Sequence, residues 1–336
     1  MTTTYLDAAR IITGDELAND LRDDIAACEA ELSSRLGSPI ATVEQIGRHV
    51  ANAGGKRLRP LLVSLSARVT GNSFDRKRIH KVGACVEMIH MATLIHDDVI
   101  DEAPTRRGKP TANEIWGNTS AILTGDVLLS KAMEILAEDG DLEIMRKVSR
   151  AAVEMAEGEV RELNTRGDFE LEIEQHFEIL LAKTARFMGA CCRVGAIVSK
   201  GTTDQQAALT SFGENAGMAF QIADDMLDYR GDNVKTGKVR ATDFCEGCST
   251  LPLILLRKKL SPLETETLRN IFGNGVTEKH LDDIVSWMSD RNIFEQTEEN
   301  TKQFVANAIE ALQLFGDSPA KLLLESVAQY VATRES

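Results

Sequence analysis

The chain has 336 residues, of which 43% are hydrophobic and 5% aromatic, so it can bury a sizeable core, and its seven prolines suit a helical protein better than a many-stranded sandwich. Its net charge of −14 argues against a nucleic-acid-binding surface. No apolar run approaches the roughly 18 residues needed to span a bilayer. Residues 1–24 carry neither a signal peptide nor an Arg-rich transit pattern, so we expect a cytoplasmic protein.

The six cysteines show no spacing typical of a disulfide scaffold, and without a signal peptide we expect reduced thiols. Cys245 and Cys248 form one Cys-x-x-Cys pair with no second pair downstream, which does not predict a structural zinc site. An acidic protein of this kind can still bind a polyanionic small molecule, but only by concentrating positive charge locally or by using metal ions.

Hydrophobic spacing predicts helices through most of the chain. The predicted helices cover residues 15–36, 41–53, 61–69, 78–101, 119–138, 141–163, 172–199 and 204–229. From residue 251 to the end the pattern is again helical, with breaks near residues 261–262, 273–275 and 316–319. Prolines, glycines and charges predict loops at residues 102–118 and 231–249. No useful β-alternation and no linker appear, so we predict an all-α fold, a large single-domain helical bundle over residues 1–336.

A basic segment follows the glycine pair Gly54-Gly55 at the start of a predicted helix. Pro60 suits the first helical turn. Lys56 and Arg59 are candidates to hold a phosphate group, with the glycines letting the backbone approach closely. Ordinary surface cations at a helix terminus are an equally good interpretation of this segment alone.

The helix predicted at residues 78–101 ends in three carboxylates, Asp97, Asp98 and Asp101. Asp97 and Asp101 are four residues apart and share a helix face, where two anions repel unless a cation lies between them. The helix C-terminus is itself partly negative, so this placement indicates a cation site. Arg106 and Arg107 follow, and carboxylates beside arginines favour a metal–diphosphate site. Solvated surface charge is the alternative, and it is how we interpret two other pairs that lack these features, Asp23-Asp24 and Asp282-Asp283.

A second acidic cluster, Asp224-Asp225-Met-Leu-Asp228, ends the predicted helix at residues 204–229. In a helical bundle, the ends of two such helices can face each other across a cavity. Lys183, followed by Thr184 within the helix predicted at residues 172–199, is on its own no more than a solvated cation. The repeated aspartate cluster favours function over surface charge for both clusters.

Together and in this order, these motifs resemble the trans-isoprenyl (polyprenyl) diphosphate synthase family, and look most like its long-chain, octaprenyl-type members. The matching motifs are Gly-Gly-Lys-Arg-Leu-Arg-Pro at residues 54–60, His-Asp-Asp-Val-Ile-Asp at 96–101 with Arg-Arg-Gly at 106–108, Lys-Thr at 183–184, and Phe-Gln-Ile-Ala-Asp-Asp-Met-Leu-Asp at 220–228. The resemblance implies a homodimer with an all-helical fold around a deep central cavity. It implies Mg²⁺-dependent condensation of isopentenyl diphosphate onto an allylic diphosphate, with three magnesium ions per active site.

By motif position, the resemblance also implies roles for individual residues. Those matching direct magnesium ligands are Asp97, Asp101 and Asp224, and those completing the clusters are Asp98, Asp225 and Asp228. Those matching contacts to the allylic diphosphate are Arg106, Lys183 and Lys238. Those matching the isopentenyl diphosphate pocket are Lys56, Arg59, His90 and Arg107. Those matching polar groups near the reacting carbons are Gln221 and Thr184.

Product length is predicted from the helix that carries the first cluster. The growing product should run toward the N-terminus of this helix, past Thr93 and Ala92, about 6–7.5 Å along the axis from Asp97. Both side chains are small, which predicts a long product of seven to ten isoprene units. Met88 and Ile89 lie one turn further and could set an earlier limit, so a farnesyl or geranylgeranyl diphosphate synthase is the alternative.

One position departs from the family pattern. Cys248 stands where a lysine usually follows Glu-Gly, which removes a positive charge from the diphosphate side, and Arg240 is a candidate to compensate. We interpret the cysteine as tolerated. A second interpretation is a weakly active or regulatory subunit of a heteromeric synthase. The presence of all six cluster aspartates argues against it. A terpene cyclase would not need the isopentenyl diphosphate residues, and the ordered motifs argue against a non-enzymatic scaffold.

Overall fold

The computed structural model describes residues 15–230 and 240–333, with side chains up to residue 330. It is helical almost throughout, which confirms the all-α prediction. The α-helices are α1 (Asp15–Arg35), α2 (Ala41–Asn52), α3 (Leu58–Val69), α4 (Arg76–Ile100), α5 (Ala112–Trp116), α6 (Asn118–Asp139), α7 (Leu142–Thr165), α8 (Ile173–Leu180), α9 (Arg186–Val198), α10 (Thr203–Arg230), α11 (Thr242–Cys245), α12 (Leu251–Arg257), α13 (Pro262–Ile271), α14 (Glu278–Asp290), α15 (Ile293–Ala311) and α16 (Pro319–Thr333). A π-helical turn covers Leu181–Ala185 and a 3₁₀ turn Leu312–Leu314.

The segment predicted as a loop at residues 102–118 contains more structure than expected. Strands β1 (Thr105–Arg106) and β2 (Lys109–Pro110) pair in antiparallel fashion. The two residues between them, Arg107 and Gly108, have φ values of 52° and 74°, as in the type I′ turns that suit a two-residue hairpin. Strands of two residues are too short to produce a recognisable alternation, so the sequence pattern did not reveal this β-hairpin.

The described chain forms two compact units. The N-terminal unit lies within residues 15–152, together with residues 190–210 and 314–324, and the C-terminal unit comprises residues 153–189, 211–313 and 325–333. The single-domain organisation of residues 1–336 stays a prediction. No helix among the described residues is long and apolar enough to cross a membrane.

The N-terminal unit is built around α4, which packs against α1, α3 and α6. Its side chains from Val82 to Ile89 are all buried. Asp24 on α1, which we interpreted as surface charge, is instead fully buried, and that interpretation was wrong. Burial alone would raise its carboxyl pKa, but hydrogen bonds lower it below its ordinary value; the donors are His80, Arg68, Ser64 and Arg76. A carboxylate with this many partners is stable in a core.

The C-terminal unit has an aromatic core beside the end of α10. Tyr229 and Phe244 are fully buried. Phe272 meets the rings of Phe169 and Phe244 edge to face, with centroids 5.4 Å apart in both pairs. This core fixes α10 relative to the short helix α11, which follows it in sequence.

Candidate active site

The first acidic cluster ends α4, as predicted. Asp98 is buried, whereas Asp97 is partly exposed and Asp101, the residue that caps the helix, is exposed. The Nε of Arg106, at the end of β1, donates to Oδ1 of Asp98 at 2.6 Å. Burial raises the pKa of Asp98, although this bond opposes the shift. Arg106, which we predicted to contact a diphosphate, therefore fixes the β-hairpin to α4.

The β-hairpin is also anchored to α2 and to the basic segment. Nζ of Lys109 donates to the carbonyl oxygen of Asn52 at 2.8 Å, and Nε2 of His49 lies 2.8 Å from the carbonyl oxygen of Pro110. A Cβ placed on Gly55 would lie only 3.0 Å from Nη1 of Arg107. Because residue 55 is a glycine, Arg107 can lie against the backbone of the basic segment, although the two are far apart in sequence.

Four arginines surround His90 on α4. Burial lowers the pKa of His90 well below its ordinary value, and neighbouring positive charges lower it further, from Arg59, Arg107, Arg106 and Arg57. The imidazole is therefore neutral at physiological pH and can take part in hydrogen bonds as donor or acceptor. A buried anion, Glu87, lies among these cations and forms an ion pair with Arg57 at 2.9 Å. The predicted residues Arg59, His90 and Arg107 are thus brought together, with Lys56 exposed in the adjoining loop.

The four residues predicted to control product length differ in exposure. Met88, Ile89 and Ala92 are fully buried within the N-terminal unit. Thr93 keeps part of its surface exposed, and its hydroxyl donates to the carbonyl oxygen of His90 at 2.9 Å. Of the four, Thr93 is the side chain that an adjacent ligand could contact.

The second acidic cluster ends α10 in the C-terminal unit. Asp224 is exposed and Asp225 is buried, with its Oδ2 2.9 Å from Nε2 of the buried His176 on α8. Asp228 accepts two backbone N–H groups at the start of α11, from Thr242 at 3.1 Å and from Asp243 at 3.0 Å. Asp225 and Asp228 are therefore held by protein groups.

The carboxylates of this cluster destabilise one another. Burial raises the pKa of Asp228 to about 6, against the lowering effect of its two backbone hydrogen bonds, and the charges of Asp225 and Asp224 raise it further. The pKa of Asp243 is also raised, by burial and then by Asp228. A cation would relieve this repulsion, and oxygen donors of this kind fit Mg²⁺. Among the described residues, no three His, Cys, Asp or Glu side chains converge closely enough to form a ready-made metal site.

We expect Asp228 to make the stability of the metal-free protein depend on pH. Its folded-state pKa of about 6 lies above the ordinary 3.8, so its ionisation destabilises the fold in full above pH 6, and this cost decreases as the pH falls below 6 and disappears near 3.8. Compared with Asp228→Asn, the wild type should gain free energy of unfolding between pH 7.5 and pH 5. Urea unfolding of both proteins in EDTA at the two pH values measures this. An identical difference at both pH values would contradict the shift.

Lys183 lies in the π-helical turn, and its side chain contacts two glutamates of α7. Its Nζ is 2.8 Å from Oε2 of Glu159 and forms a second ion pair with Glu162. Burial lowers the pKa of Lys183, but these two carboxylates raise it above its ordinary value. A Cβ on Gly158 would lie 2.8 Å from the backbone nitrogen of Lys183, so only glycine permits this approach of α7. Widened turns of this kind are frequent at functional sites.

The remaining predicted residues of this unit lie near these groups or outside the described chain. Thr184 is buried and Gln221 partly buried. Lys238 lies outside the described residues. Cys248 is partly buried, its N–H donates to the carbonyl oxygen of Asp243 at 2.8 Å, and burial raises its thiol pKa to about 12. Arg240, our candidate to compensate for it, forms an ion pair with Asp282 at 2.5 Å.

Several residues at these sites were not identified from the sequence. They are Arg57 and Glu87 in the N-terminal unit, and Glu159, Glu162, His176 and Asp243 in the C-terminal unit. One signal was present, because Glu159 and Glu162 are three residues apart and share a helix face. His176 likewise precedes Lys183 by seven residues, two helical turns, although the π-helical turn lies between them.

Known proteins resemble the chain over nearly its whole length. The polyprenyl synthetase family model matches residues 40–288. Octaprenyl diphosphate synthase of Escherichia coli is 32% identical over 321 residues, covering 95% of this chain and 99% of the relative. Nonaprenyl diphosphate synthase of Mycobacterium tuberculosis is 34% identical over an alignment of 338 residues, covering 99% of each chain. A polyprenyl synthase from Caulobacter crescentus, solved with calcium and isoprenyl diphosphate, superposes with a TM-score of 0.90 at 34% identity, covering 95% of this chain and 97% of that chain.

Proposed function

Because the chain belongs to the polyprenyl synthetase family and is a prenyltransferase, we propose that it condenses isopentenyl diphosphate with an allylic diphosphate to give a trans-polyprenyl diphosphate. The observation that carries this proposal is the pair of carboxylate clusters, each at the end of a long helix, with arginines beside the first of them. The calcium and isoprenyl diphosphate bound by the Caulobacter relative also support it.

We propose that both carboxylate clusters bind magnesium, with three ions per active site. The most exposed carboxylates of each cluster, Asp97, Asp101 and Asp224, would be the direct ligands. Asp98, Asp225 and Asp228 are held by Arg106, His176 and backbone N–H groups, which suits residues that orient the others. When bound, Mg²⁺ neutralises the diphosphate as it leaves.

The reaction needs no protein nucleophile. The double bond of isopentenyl diphosphate attacks the allylic carbon, and the bond from that carbon to the diphosphate oxygen breaks with its electron pair on oxygen. The carbocation that results loses a proton to the released diphosphate, which restores a double bond. The protein positions both diphosphates through Lys56, Arg59, His90, Arg107 and Lys183, and such positioning and charge stabilisation carry the catalysis.

Incubation with labelled isopentenyl diphosphate, an allylic primer and Mg²⁺, followed by chromatographic sizing of the products, tests the proposal. We expect polyprenyl diphosphates that are absent when EDTA is added. Absence of any condensed product with geranyl, farnesyl and geranylgeranyl primers would refute it.

We propose a long product of seven to ten isoprene units, as the names of the octaprenyl and nonaprenyl relatives suggest for this chain. The support within the molecule is that Thr93 and Ala92, four and five residues before Asp97, both have small side chains. Thr93 is the partly exposed residue on this face, and Ala92 is fully buried. The growing product would therefore pass Thr93.

Replacing Thr93 with phenylalanine is expected to shorten the product by at least two isoprene units, because the ring would block the path of the chain. Product sizing by chromatography measures this, with Thr93→Val as a control of nearly the same volume. Phenylalanine at Ala92 should also shorten the product, but overpacking at this buried position costs about 1–3 kcal/mol and complicates the result. Unchanged product length in both phenylalanine variants would mean that the growing product follows a different path.

We also propose that the protein is a homodimer. Three large apolar side chains are exposed on α5 and α6 of the N-terminal unit: Ile115 at 47%, Ile122 at 41% and Leu123 at 57%. Exposed apolar groups on adjoining helices suit a self-complementary interface. Light scattering should give twice the mass of 36.8 kDa, and Leu123→Glu should reduce it toward that of the monomer.

A further inference from the structure

Arg57 is the N-cap residue of α3, immediately before Leu58, and has a left-handed backbone conformation with φ 49° and ψ 39°. This region is unfavourable for a residue with a Cβ, so the surrounding structure must hold it in place. The side chain does so with three hydrogen bonds, to Oε1 of Glu29 at 3.0 Å, to Oε1 of Glu87 at 2.9 Å and to the carbonyl oxygen of Ala51 at 2.8 Å. The basic segment is thereby bonded to α1, α4 and α2.

Glu87 is a buried anion among the cations of this site. Its side chain is 7% exposed, and it lies one helical turn before His90 on α4. A Cβ on Gly55 would lie 3.4 Å from Nη1 of Arg57 and 3.0 Å from Nη1 of Arg107, so the two guanidinium groups approach the same glycine. Burial lowers the pKa of Arg59 and of Arg107, and the charge of Glu87 opposes this shift in both. Glu87 is therefore close enough to compete for the arginines that we expect to bind substrate.

We propose that Arg57 and Glu87 are a positioning pair for the isopentenyl diphosphate pocket. Arg57 holds the segment that carries Lys56 and Arg59, and it pairs with the carboxylate of Glu87, which would otherwise compete for Arg107. The proposal rests on the proposed function above. Without Arg57, a buried carboxylate left unpaired would attract another guanidinium, because an uncompensated buried charge is costly.

Steady-state kinetics of three variants tests this pair. Arg57→Gly removes the side chain but keeps the backbone, because glycine adopts positive φ without penalty. We expect it to raise KM for isopentenyl diphosphate at least about tenfold and KM for the allylic primer less than about twofold, since tenfold is the equivalent of one charge-assisted hydrogen bond. Glu87→Gln alone should change both values little. Combined with Arg57→Gly, it should lower the raised KM for isopentenyl diphosphate at least about threefold, because the anion that would capture Arg107 is gone.

A matched control is Arg78→Ala. Like Arg57, Arg78 is partly buried; it lies on α4 and is bonded to Asp139 at 2.6 Å and to Asp141 at 2.8 Å. It lies about 18 Å along the helix from His90 and should leave both KM values unchanged. Equal rises for both substrates in Arg57→Gly, no rise at all, or no recovery in the double variant would overturn the pairing.

Calorimetry with isopentenyl diphosphate in EDTA separates this inference from the proposed function, because it measures binding without turnover. If the wild type binds isopentenyl diphosphate but does not condense it, the proposed function fails, while the effect of the Arg57–Glu87 pair on binding can still be measured. Weaker binding by Arg57→Gly, partly restored in the double variant, supports the pair. No binding by the wild type, or equal binding by all variants, would overturn it.

Discussion

Replacing Asp97 or Asp224 with alanine is expected to lower kcat about a hundred- to a thousandfold, the size typical for loss of one preorganised charge-stabilising group. Asp224 is exposed and Asp97 partly exposed, so neither supports a core. The free energy of unfolding should therefore stay within about 0.5 kcal/mol of the wild-type value. Kinetics with labelled isopentenyl diphosphate and urea unfolding measure the two quantities.

The matched control for these variants is Asp283→Ala, which removes an exposed aspartate of α14 outside both clusters. It should leave kcat unchanged. Mg²⁺ titration adds a second measurement, because losing a ligand should raise the Mg²⁺ concentration needed for half-maximal rate. Near-normal activity in either cluster variant would remove its assignment as a metal ligand.

Replacing Cys248 with lysine is expected to raise kcat/KM for the allylic substrate about tenfold, and up to a hundredfold. The thiol of Cys248, with a pKa raised to about 12 by burial, is neutral at physiological pH and supplies no charge to a diphosphate. A direct contact from an ammonium group is worth about 1–3 kcal/mol. Glu162 and Asp243, whose charges act on position 248, would keep the new ammonium protonated.

The control for this gain is Cys248→Met, which has a similar reach and no charge and should leave kcat/KM near the wild-type value. Initial rates at varied allylic diphosphate concentration compare the three proteins. A loss of activity in the lysine variant would mean that the loop is adapted to cysteine, with the N–H of residue 248 on Asp243 as its fixed point.

The elements that carry the acidic clusters could be predicted from the sequence because both are long helices with strong apolar periodicity. α4 and α10 end where the apolar pattern ends. The location of the aspartates at these helix ends therefore follows from their place in the sequence alone. The family resemblance then assigned roles to those aspartates, and the polyprenyl synthetase match confirms the family.

The partners of these aspartates could not be predicted. Arg106 reaches Asp98 from the first strand of the β-hairpin, eight residues further along the chain, and His176 reaches Asp225 from another helix. Such contacts depend on tertiary packing, which periodicity does not encode. Asp24 shows the same limit, since its burial depends on cations from other helices. The π-helical turn at Leu181–Ala185 depends on the close approach of Gly158.

Asp228 also bonds the end of α10 to the start of α11. Its carbonyl oxygen accepts the N–H of Ala241 at 2.7 Å, and its carboxylate accepts the N–H groups of Thr242 and Asp243. One residue thus joins the end of α10 directly to the start of α11. A substitution at Asp228 would therefore disturb the start of α11 as well as the second acidic cluster.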